Sequence, residues 1–359
     1  MTLDKNIFIH NIYYMLSYAF QSLRQDSYRN ISVESFEEIY DLFAMILSKG
    51  IATQLKQGLY REYIDQKDDL KVLRGKIDIQ QSMRNVSMHR QVLTCEYDEL
   101  SENVLLNQII KSTATLLLRS GKVKKEYKQS LKKELLYFSN VDLIDPKQVR
   151  WSRVRFHRNN QTYYMLIHIC RLIIDGMLMT TKSGEYKLAT FIDEQHMCRL
   201  YEKFILEYYR RHYPNLNVSA SQIPWAVDDD FTKMLPVMQT DIHLQKENDV
   251  LIIDAKYYGH TTQSLYDKNT IHSNNLYQIF TYVKNKEYTF KAEKHRVAGM
   301  LLYARTNEEI QPDQTYQMHG NQISVKTLDL NKPFNELSKQ LDDIVDGYFY
   351  DILNFVKNV

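Results

Sequence analysis

The chain has 359 residues, of which 46 are Lys or Arg and 44 are Asp or Glu, so its formal net charge is +2. Hydrophobic residues make up 44% and charged residues 25%, which is typical of globular proteins and excludes a disordered chain and a globally basic one. The length predicts two domains, and the scarcity of Gly (10) and Pro (6) favours long helices over an all-β fold.

The cysteines and the apolar segments indicate a cytoplasmic protein. Cys95, Cys170 and Cys198 are far apart and form no CxxC pair, so neither a disulfide framework nor a zinc site is supported. No apolar run reaches the roughly 18 residues of a membrane span. The first residues carry an acid where a signal peptide needs a basic flank. We therefore expect neither secretion nor membrane spanning.

The amino-terminal part predicts helices followed by a small β element. Residues 10–23 form an amphipathic pattern with Asn11 as its N-cap, and a second helix starts at Ser32 and ends or kinks at Gly50. Between residues 59 and 90, strand-like pieces flank the polar sequence DQKDD, which we interpret as a turn. This part therefore predicts a helix-rich α+β domain.

Two basic segments follow. A helical pair broken at Gly121 carries eight basic and two acidic residues over residues 111–134. Residues 147–158 contain no acid and interleave Trp151 and Phe156 with basic side chains, which suits phosphate contact and base stacking. The alternative for each segment is a solvated helix face or surface loop. The DNA-contact candidates are Arg150, Arg153, Arg155 and Arg158.

A polar stretch at 180–187 predicts the domain joint, which gives domains of 1–185 and 186–359. The second domain alternates helices and strands, so we expect an α/β fold with a mixed central sheet flanked by helices. Its predicted elements are a helix at 194–213, strands at 235–244 and 250–258, a helix at 272–286, a strand at 295–304, a β pair at 315–329 and a helix at 333–357.

The chemistry is predicted at the end of the strand VLIIDAKYY. Strand alternation puts Asp254 and Lys256 on one face. A turn centred between Glu247 and Asn248 places Asp241 directly across from Asp254. Two facing carboxylates repel each other and favour a bound cation. Mg²⁺ suits this site, because it takes oxygen ligands from one or two carboxylates and from substrate phosphate.

These groups suit hydrolysis of a phosphodiester. Asp241, Asp254 and the carbonyl of Ala255 would hold Mg²⁺, and Lys256 would position the attacking water and offset the developing negative charge. The acid-x-Lys triplet alone is weak evidence, since about 3.6 are expected by chance. Of the six in the chain, only the one at Asp254 follows an apolar strand with an Asp at matching register. The alternative is a strand-end ion pair with Asp241 solvated.

Supporting groups are predicted on two helices. Gln278 and Tyr282 are four residues apart and share a helix face, so Gln278 could orient a water and Tyr282 could contact DNA. Core packing of Tyr282 is the alternative. Glu202 and Glu207 are candidates for extra metal-shell acids, with plain surface positions as the alternative. The chain contains no GxxxxGK[ST], HExxH or GxSxG motif, which excludes a nucleotide-driven motor, a zinc protease and a serine hydrolase.

With these motifs the chain resembles the PD-(D/E)xK nuclease superfamily and, more closely, the McrC family of nuclease subunits from McrBC restriction systems. The resemblance covers nearly the whole length, through NIYYMLSYAF, LRGKIDI, YDELSENVLLNQIIKST, DAKYY and HSNNLYQ. One departure from the superfamily pattern is that Gln239 and Thr240, rather than Pro, precede Asp241; Pro236 lies five residues earlier.

The resemblance implies an endonuclease in which Asp241, Asp254 and Lys256 are catalytic and Gln278 supports them. It also implies a separate AAA+ GTPase partner, McrB-like and hexameric, which recognises DNA with modified cytosine and translocates it. The amino-terminal half would dock in that ring and stimulate its GTP hydrolysis. Two rival functions stay open: a regulatory adaptor with an idle nuclease fold, and a stand-alone repair nuclease.

Overall fold

We describe the protein from a computed structural model, which covers residues 5–24, 28, 31, 34, 36–180, 186–188, 192–229, 231–258, 262–265, 268–290, 294–306, 308 and 311–357. The chain divides into two compact units. Unit 1 combines Met1–Leu42 with Phe191–Val359, and unit 2 is Phe43–Thr190. The predicted joint lies close to one boundary, but the division differs from the predicted domain of 1–185.

The observed division differs from the predicted one because the first helix, α1 (Lys5–Ala19), packs within unit 1. The Tyr14 ring stacks on Phe334 with ring centroids 4.1 Å apart. Asn11 lies inside the helix, and its Nδ2 donates to the carbonyls of Leu330 (2.7 Å) and Lys332 (2.8 Å). The prediction that Asn11 caps this helix was therefore wrong, because its amide is used in a long-range contact.

The second helix, α2 (Ile39–Gln57), begins later than predicted. Ser32 lies outside the described residues, and Gly50 does not end the helix, which continues to Gln57. Helix interiors tolerate a glycine at a cost of about 1 kcal/mol. The buried side chains of Ile46, Leu47 and Ile51 continue the apolar face on both sides of Gly50 and outweigh that cost.

Unit 2 contains a small antiparallel sheet of order β1-β3-β2 and a set of helices. The predicted turn at DQKDD was wrong. Asp65–Asp69 are part of β1, because they pair in unbroken register with Thr94–Asp98 of β3. The third strand and the helix before it were not predicted. The elements are β1 (Glu62–Leu70), β2 (Lys76–Ile77), α3 (Ile79–Ser87), β3 (Leu93–Ser101), α4 (Leu105–Arg119), α5 (Lys125–Leu135), α6 (Tyr164–Met177), β4 (Leu178–Thr180) and β5 (Tyr186–Leu188).

Unit 1 is built on a mixed sheet of order β14-β15-β13-β10-β9-β6, which confirms the mixed-sheet expectation. The β10–β13 and β13–β15 pairs are parallel, and the other pairs are antiparallel. The remaining elements of the unit are α7 (Glu194–His212), β6 (Asn217–Ser219), β7 (Gln222–Ile223), β8 (Met238–Gln239), β9 (Ile242–Lys246), β10 (Asp249–Lys256), β11 (Thr262–Leu265), β12 (Lys268–Ile271), α8 (Ser273–Tyr288), β13 (Arg296–Ala304), β14 (Gln314–Met318), β15 (Asn321–Leu328) and α9 (Phe334–Lys357).

Helices cover both faces of this sheet. Helix α8 packs on the face that carries Val250, Ile252 and Val297. Helix α9 lies on the opposite face, where it lines a cavity with Leu251 and Met300. The buried apolar side chains of β10 and β13 therefore alternate between two helical layers. No helix in the described part of the chain is long and apolar enough to cross a membrane.

Gly299 on β13 sets how closely α8 approaches the sheet. A Cβ atom added at this position would lie 2.7 Å from Ile279 Cγ1 and 2.8 Å from Val283 Cγ2. Atoms at such distances overlap, so the absence of a side chain is required for the observed packing.

We predict that Gly299→Val lowers the free energy of unfolding by about 1–3 kcal/mol, because the added methyl groups push α8 away from β13. Urea unfolding measures this. The matched control is Gly347→Ala on α9, where an added Cβ meets no atom within 4 Å. The control should gain about 0.5–1 kcal/mol through helix propensity. A Gly299→Val protein as stable as wild type contradicts the packing argument.

Candidate functional site

The site begins with the register of the β9–β10 hairpin. Asp249 pairs with Lys246 and Ile253 pairs with Ile242, so Glu247 and Asn248 form the two-residue turn that was predicted. The same register, continued by one residue, places Asp241 opposite Asp254. Asp241 Oδ2 accepts a hydrogen bond from the Ala255 backbone N–H at 3.0 Å, which ties this carboxylate to the end of β10.

Asp254 and Lys256 lie on the same face of β10, as strand alternation predicts. Asp254 Oδ2 is 2.9 Å from Lys256 Nζ, and the two side chains are 2% and 12% exposed. The ion pair proposed as the alternative interpretation therefore exists. Asp241 is not solvated in the way that alternative assumed, because it joins the same buried cluster.

The electrostatics of this cluster follow from burial and mutual proximity. Burial raises the pKa of Asp254 to about 7; the Lys256 ammonium opposes this rise and the Asp241 carboxylate adds to it. Burial also raises the pKa of Asp241, against the Lys256 charge and the Ala255 hydrogen bond. Both carboxyl groups therefore hold protons more tightly than exposed aspartates do.

Lys256 responds in the opposite way. Burial disfavours its ammonium form, but the two carboxylates more than offset that effect and raise the pKa of Lys256 above its ordinary value. The side chain therefore stays protonated at neutral pH. It can donate hydrogen bonds and stabilise negative charge, and it cannot serve as a general base.

Gln278 and Tyr282 lie on α8, above the strands that carry the carboxylates. Gln278 Nε2 donates to the Tyr282 hydroxyl at 3.0 Å. Among the described residues, no recorded contact joins Gln278 to Asp241, Asp254 or Lys256. Tyr282 is 8% exposed and packs in the core, as the core-packing alternative describes, and its contact with DNA stays a prediction.

Two polar residues near the cluster were not predicted. Tyr303 on β13 is the register partner of Lys256, and its hydroxyl accepts a hydrogen bond from Asn275 Nδ2 at 2.9 Å. Both side chains are buried. Only the parallel pairing of β10 with β13 brings Tyr303 here. Tyr303 could have been found from the sequence by pairing the predicted strand HRVAGMLLYA in parallel with the strand VLIIDAKYY.

Of the two candidate metal-shell glutamates on α7, Glu202 and Glu207, only Glu202 lies near the cluster. It is half-buried, its Oε1 accepts from Cys198 Sγ at 3.1 Å, and burial and the Asp241 charge raise its pKa. Glu207 instead pairs with Arg210 on the same helix. The surface alternative therefore describes Glu207, whereas Glu202 is within electrostatic reach of the carboxylates.

The basic segment at 147–158 belongs to unit 2. The side chains of Arg150, Arg153, Arg155 and Arg158 are exposed. Its two aromatic residues are partly buried and already make contacts within unit 2. Trp151 Nε1 donates to Asp175 Oδ1, and the Phe156 ring contacts Tyr164. Base stacking by these two rings and phosphate contact by the arginines both stay predictions.

The carboxylate cluster fits Mg²⁺ better than a metal that needs several nitrogen or sulfur ligands. No group of three or more His, Cys, Asp and Glu side chains in the described part of the chain could hold a metal ion. Asp254 Oδ2 is buried and lies 2.9 Å from Lys256 Nζ, so a single ammonium serves two opposed carboxylates. Two carboxylates that share one cationic partner suit a hard cation that keeps waters and takes substrate oxygens.

Comparisons with known proteins bear on the family and the fold of this chain. Residues 4–304 match the family described as "McrBC 5-methylcytosine restriction system component". A relative in Escherichia coli (strain K12), described as "Type IV methyl-directed restriction enzyme EcoKMcrBC", is 26% identical over 345 residues, which span 95% of this chain and 97% of that protein.

A solved structure resembles the fold as a whole. It is a half-complex from an assembly of Thermococcus gammatolerans McrB AAA+ hexamers with bound McrC. The matched chain is 20% identical, with a TM-score of 0.53, and the match covers 94% of this chain and 76% of that one. This likeness supports the architecture described above.

The raised pKa of Asp254 predicts a pH-dependent stability. Its folded-state pKa of about 7 lies above the ordinary 3.8, so the folded protein retains a proton that the unfolded chain loses between these pH values. Stability of the metal-free protein therefore falls as pH rises through this window. Asp254→Asn removes one negative charge and leaves Asp241 balanced by Lys256.

We therefore expect metal-free Asp254→Asn to be more stable than wild type at pH 8 by on the order of 1–3 kcal/mol, and equal to it near pH 4. Urea unfolding in EDTA at both pH values measures the difference. Asp313→Asn, at an exposed acid of the same unit, is the control and should change little. If Asp254→Asn is less stable than wild type at pH 8, the argument that the ionised Asp254 destabilises the metal-free protein is refuted.

Proposed function

Because this chain belongs to the McrBC family of 5-methylcytosine restriction system components, we propose that it is the Mg²⁺-dependent DNA endonuclease subunit of such a system. The observation that carries the proposal is the opposition of the half-buried Asp241 and the buried Asp254 beside the Lys256 ammonium. In this proposal the sheet of unit 1 is a PD-(D/E)xK nuclease fold. The substrate is double-stranded DNA that contains modified cytosine.

Asp241, Asp254 and the carbonyl of Ala255 would hold Mg²⁺ at the end of β10. When bound, the cation supplies Lewis-acid stabilisation of phosphate oxygens and lowers the pKa of a coordinated water. The chain's own contribution is the geometry: Ala255 N–H fixes Asp241, and the β9–β10 register fixes the separation of the two carboxylates. Glu202 lies close enough to add negative charge at this centre.

Lys256 would orient the attacking water or a phosphate oxygen by donating a hydrogen bond. Its raised pKa keeps it charged throughout, so it offsets the negative charge that develops on the phosphate. The water oxygen bonds to phosphorus as the bridging P–O bond breaks, and the leaving oxygen takes up a proton. Gln278 on α8 would support the site through its free amide oxygen, which faces no recorded partner in the described residues.

The exposed arginines of unit 2 would contact DNA phosphates. Arg150, Arg153, Arg155 and Arg158 carry four positive charges in nine residues, with no acid among them. Such contacts supply affinity without reading sequence. Recognition of the modified base would then belong to the partner.

That partner would be an McrB-like AAA+ GTPase hexamer that docks on unit 2 and is stimulated by it. The chain has no phosphate-binding loop of its own, and the similar solved structure is an McrB AAA+ assembly with bound McrC. Unit 2 also carries a surface that needs a partner, on helix α3.

Helix α3 presents its apolar face outward. Ile79, Met83 and Val86 are 70%, 68% and 65% exposed, whereas Ser82 and Asn85 are buried against the sheet. Asn85 Nδ2 donates to Thr94 Oγ1 on β3 at 3.1 Å, and the Thr94 N–H donates to Ser82 Oγ at 2.9 Å.

This orientation is the reverse of a surface helix in a monomer, which buries its apolar side. An exposed apolar patch of this kind marks a protein interaction site. We therefore assign the apolar face of α3 (Ile79, Met83, Val86) to the GTPase partner.

The nuclease proposal predicts separable activities. Lys256→Ala should lower DNA cleavage by about 10²–10³-fold or more, because the transition state loses its hydrogen-bond donor, while stimulation of the partner's GTPase is retained. The assay combines the chain, an McrB-like GTPase, methylated plasmid, GTP and Mg²⁺. Lys326→Ala, at an exposed lysine of the same unit, is the control.

The outcomes distinguish the rival functions. GTP turnover stimulated by wild type without cleavage of any modified plasmid would favour the regulatory adaptor. Cleavage by the chain alone, without the GTPase, would favour the stand-alone nuclease. Loss of cleavage and of GTPase stimulation together in Lys256→Ala would contradict a division of the two activities between the units.

A substitution on the apolar face of α3 should impair partner binding and GTPase stimulation without altering the carboxylate site. Met83→Asp should weaken partner binding and GTPase stimulation at least about tenfold, because a charge replaces an apolar contact at the centre of the α3 face. Thermal unfolding should change little, since the side chain is exposed. Leu136→Asp, an apolar residue of the same unit that is 76% exposed, is the control. Equal GTPase stimulation by Met83→Asp and Leu136→Asp would refute the assignment of this face.

A further inference from the structure

A buried hydroxyl lies beside the Lys256 ammonium. Tyr303 and Lys256 are Cα partners in the parallel β10–β13 pair, so their side chains leave the sheet on the same face at neighbouring positions. Tyr303 is fully buried in the core under α8. The charges of Asp254 and Lys256 both act on its hydroxyl, which shows that this group is within electrostatic reach of the ion pair.

The hydroxyl is fixed from the opposite side by α8. Asn275 Nδ2 donates to it at 2.9 Å, and Asn275 is itself buried. Burial raises the pKa of Tyr303 to about 12, so it stays a neutral phenol at physiological pH. A phenol oxygen has two lone pairs, and Asn275 uses one of them. The second remains free to accept a hydrogen bond.

Lys256 needs such an acceptor. An ammonium group has three N–H donors, and Asp254 accounts for one of them at 2.9 Å. Because the side chain is 12% exposed, water cannot satisfy the others freely. In the proposed reaction the Asp254 carboxylate would also bind the cation. Its ion pair with the Lys256 ammonium would then be weaker.

We propose that Tyr303, fixed by Asn275, is a positioning residue that accepts a hydrogen bond from the Lys256 ammonium. This inference rests on the proposed nuclease function. The pair acts through Lys256 and touches neither the substrate nor the metal ligands. Its effect is to keep the ammonium aimed at the reacting phosphate when Asp254 is engaged elsewhere.

The test is Tyr303→Phe in the full chain, assayed with the GTPase, GTP, Mg²⁺ and methylated DNA. The ring and its packing are retained, and only the hydroxyl is lost. We expect the cleavage rate at saturating DNA to fall about 10–100-fold with KM for DNA unchanged within about twofold, because a displaced catalytic group costs rate rather than binding. Mn²⁺ affinity by calorimetry should stay within about threefold of wild type.

Asn275→Ala should likewise lower the cleavage rate and leave KM for DNA unchanged. The double variant should cleave no more slowly than the slower single variant, because both changes disable the same Tyr303–Asn275 pair. The matched control is Tyr348→Phe, which removes a buried hydroxyl that donates to the carbonyls of Val250 and Arg296. That control should lower the unfolding midpoint and leave the cleavage rate unchanged. If Tyr303→Phe does not fold, Asn275→Ala decides the question alone.

The outcomes separate this inference from the function on which it rests. Wild-type cleavage together with an unaltered rate in Tyr303→Phe and Asn275→Ala overturns the inference and leaves the nuclease intact. A parallel fall in cleavage rate, Mn²⁺ affinity and stability also overturns it, because the role is then structural. Absence of cleavage by wild type overturns both.

Discussion

The opposition of two carboxylates, the buried Asp254 and the half-buried Asp241, is the constraint on which the rest of unit 1 depends. Two such groups on neighbouring strands repel each other, and burial is the largest cause of the raised pKa of each. One ammonium, Lys256, offsets part of this charge. With two carboxylates and one ammonium, the cluster has an excess of negative charge when both carboxyl groups are ionised, and this excess favours a divalent cation with bound phosphate. A structure selected for stability alone would have little reason to keep this arrangement.

The surrounding elements hold the cluster in place. The two-residue turn at Glu247 and Asn248 fixes the β9–β10 register, and parallel pairing with β13 brings Tyr303 beside Lys256. Gly299 lets α8 approach the sheet closely, which places Asn275 on the Tyr303 hydroxyl. Unit 2 contributes a different kind of feature. Its helix α3 presents the apolar side chains of Ile79, Met83 and Val86 to solvent, and this is the surface that we propose for the partner.

The sequence predicted the site better than the architecture around it. Asp241, Asp254 and Lys256 lie on a hairpin whose register follows from a short turn and period-two alternation, and both signals are local. Tyr303 could not be found in the same way, because a parallel pair joins strands that are distant in the chain. The β3 strand was missed, and the middle of β1 was interpreted as a turn, for another reason: acidic residues such as Asp68 and Glu96 do not resemble a strand, and pairing overrides their weak propensity. The packing of α1 in unit 1 depends on Asn11 and Tyr14 contacts over 300 residues away.

The most direct test of this account is to locate the cation. Crystals of the full chain grown or soaked with Mn²⁺ in place of Mg²⁺ can be measured at the manganese absorption edge. The account predicts an anomalous peak about 2.0–2.2 Å from carboxylate oxygens of both Asp241 and Asp254, with Lys256 turned toward the bound waters. A map with no peak between the two carboxylates, and with Asp254 still paired only to Lys256 at saturating Mn²⁺, would contradict it.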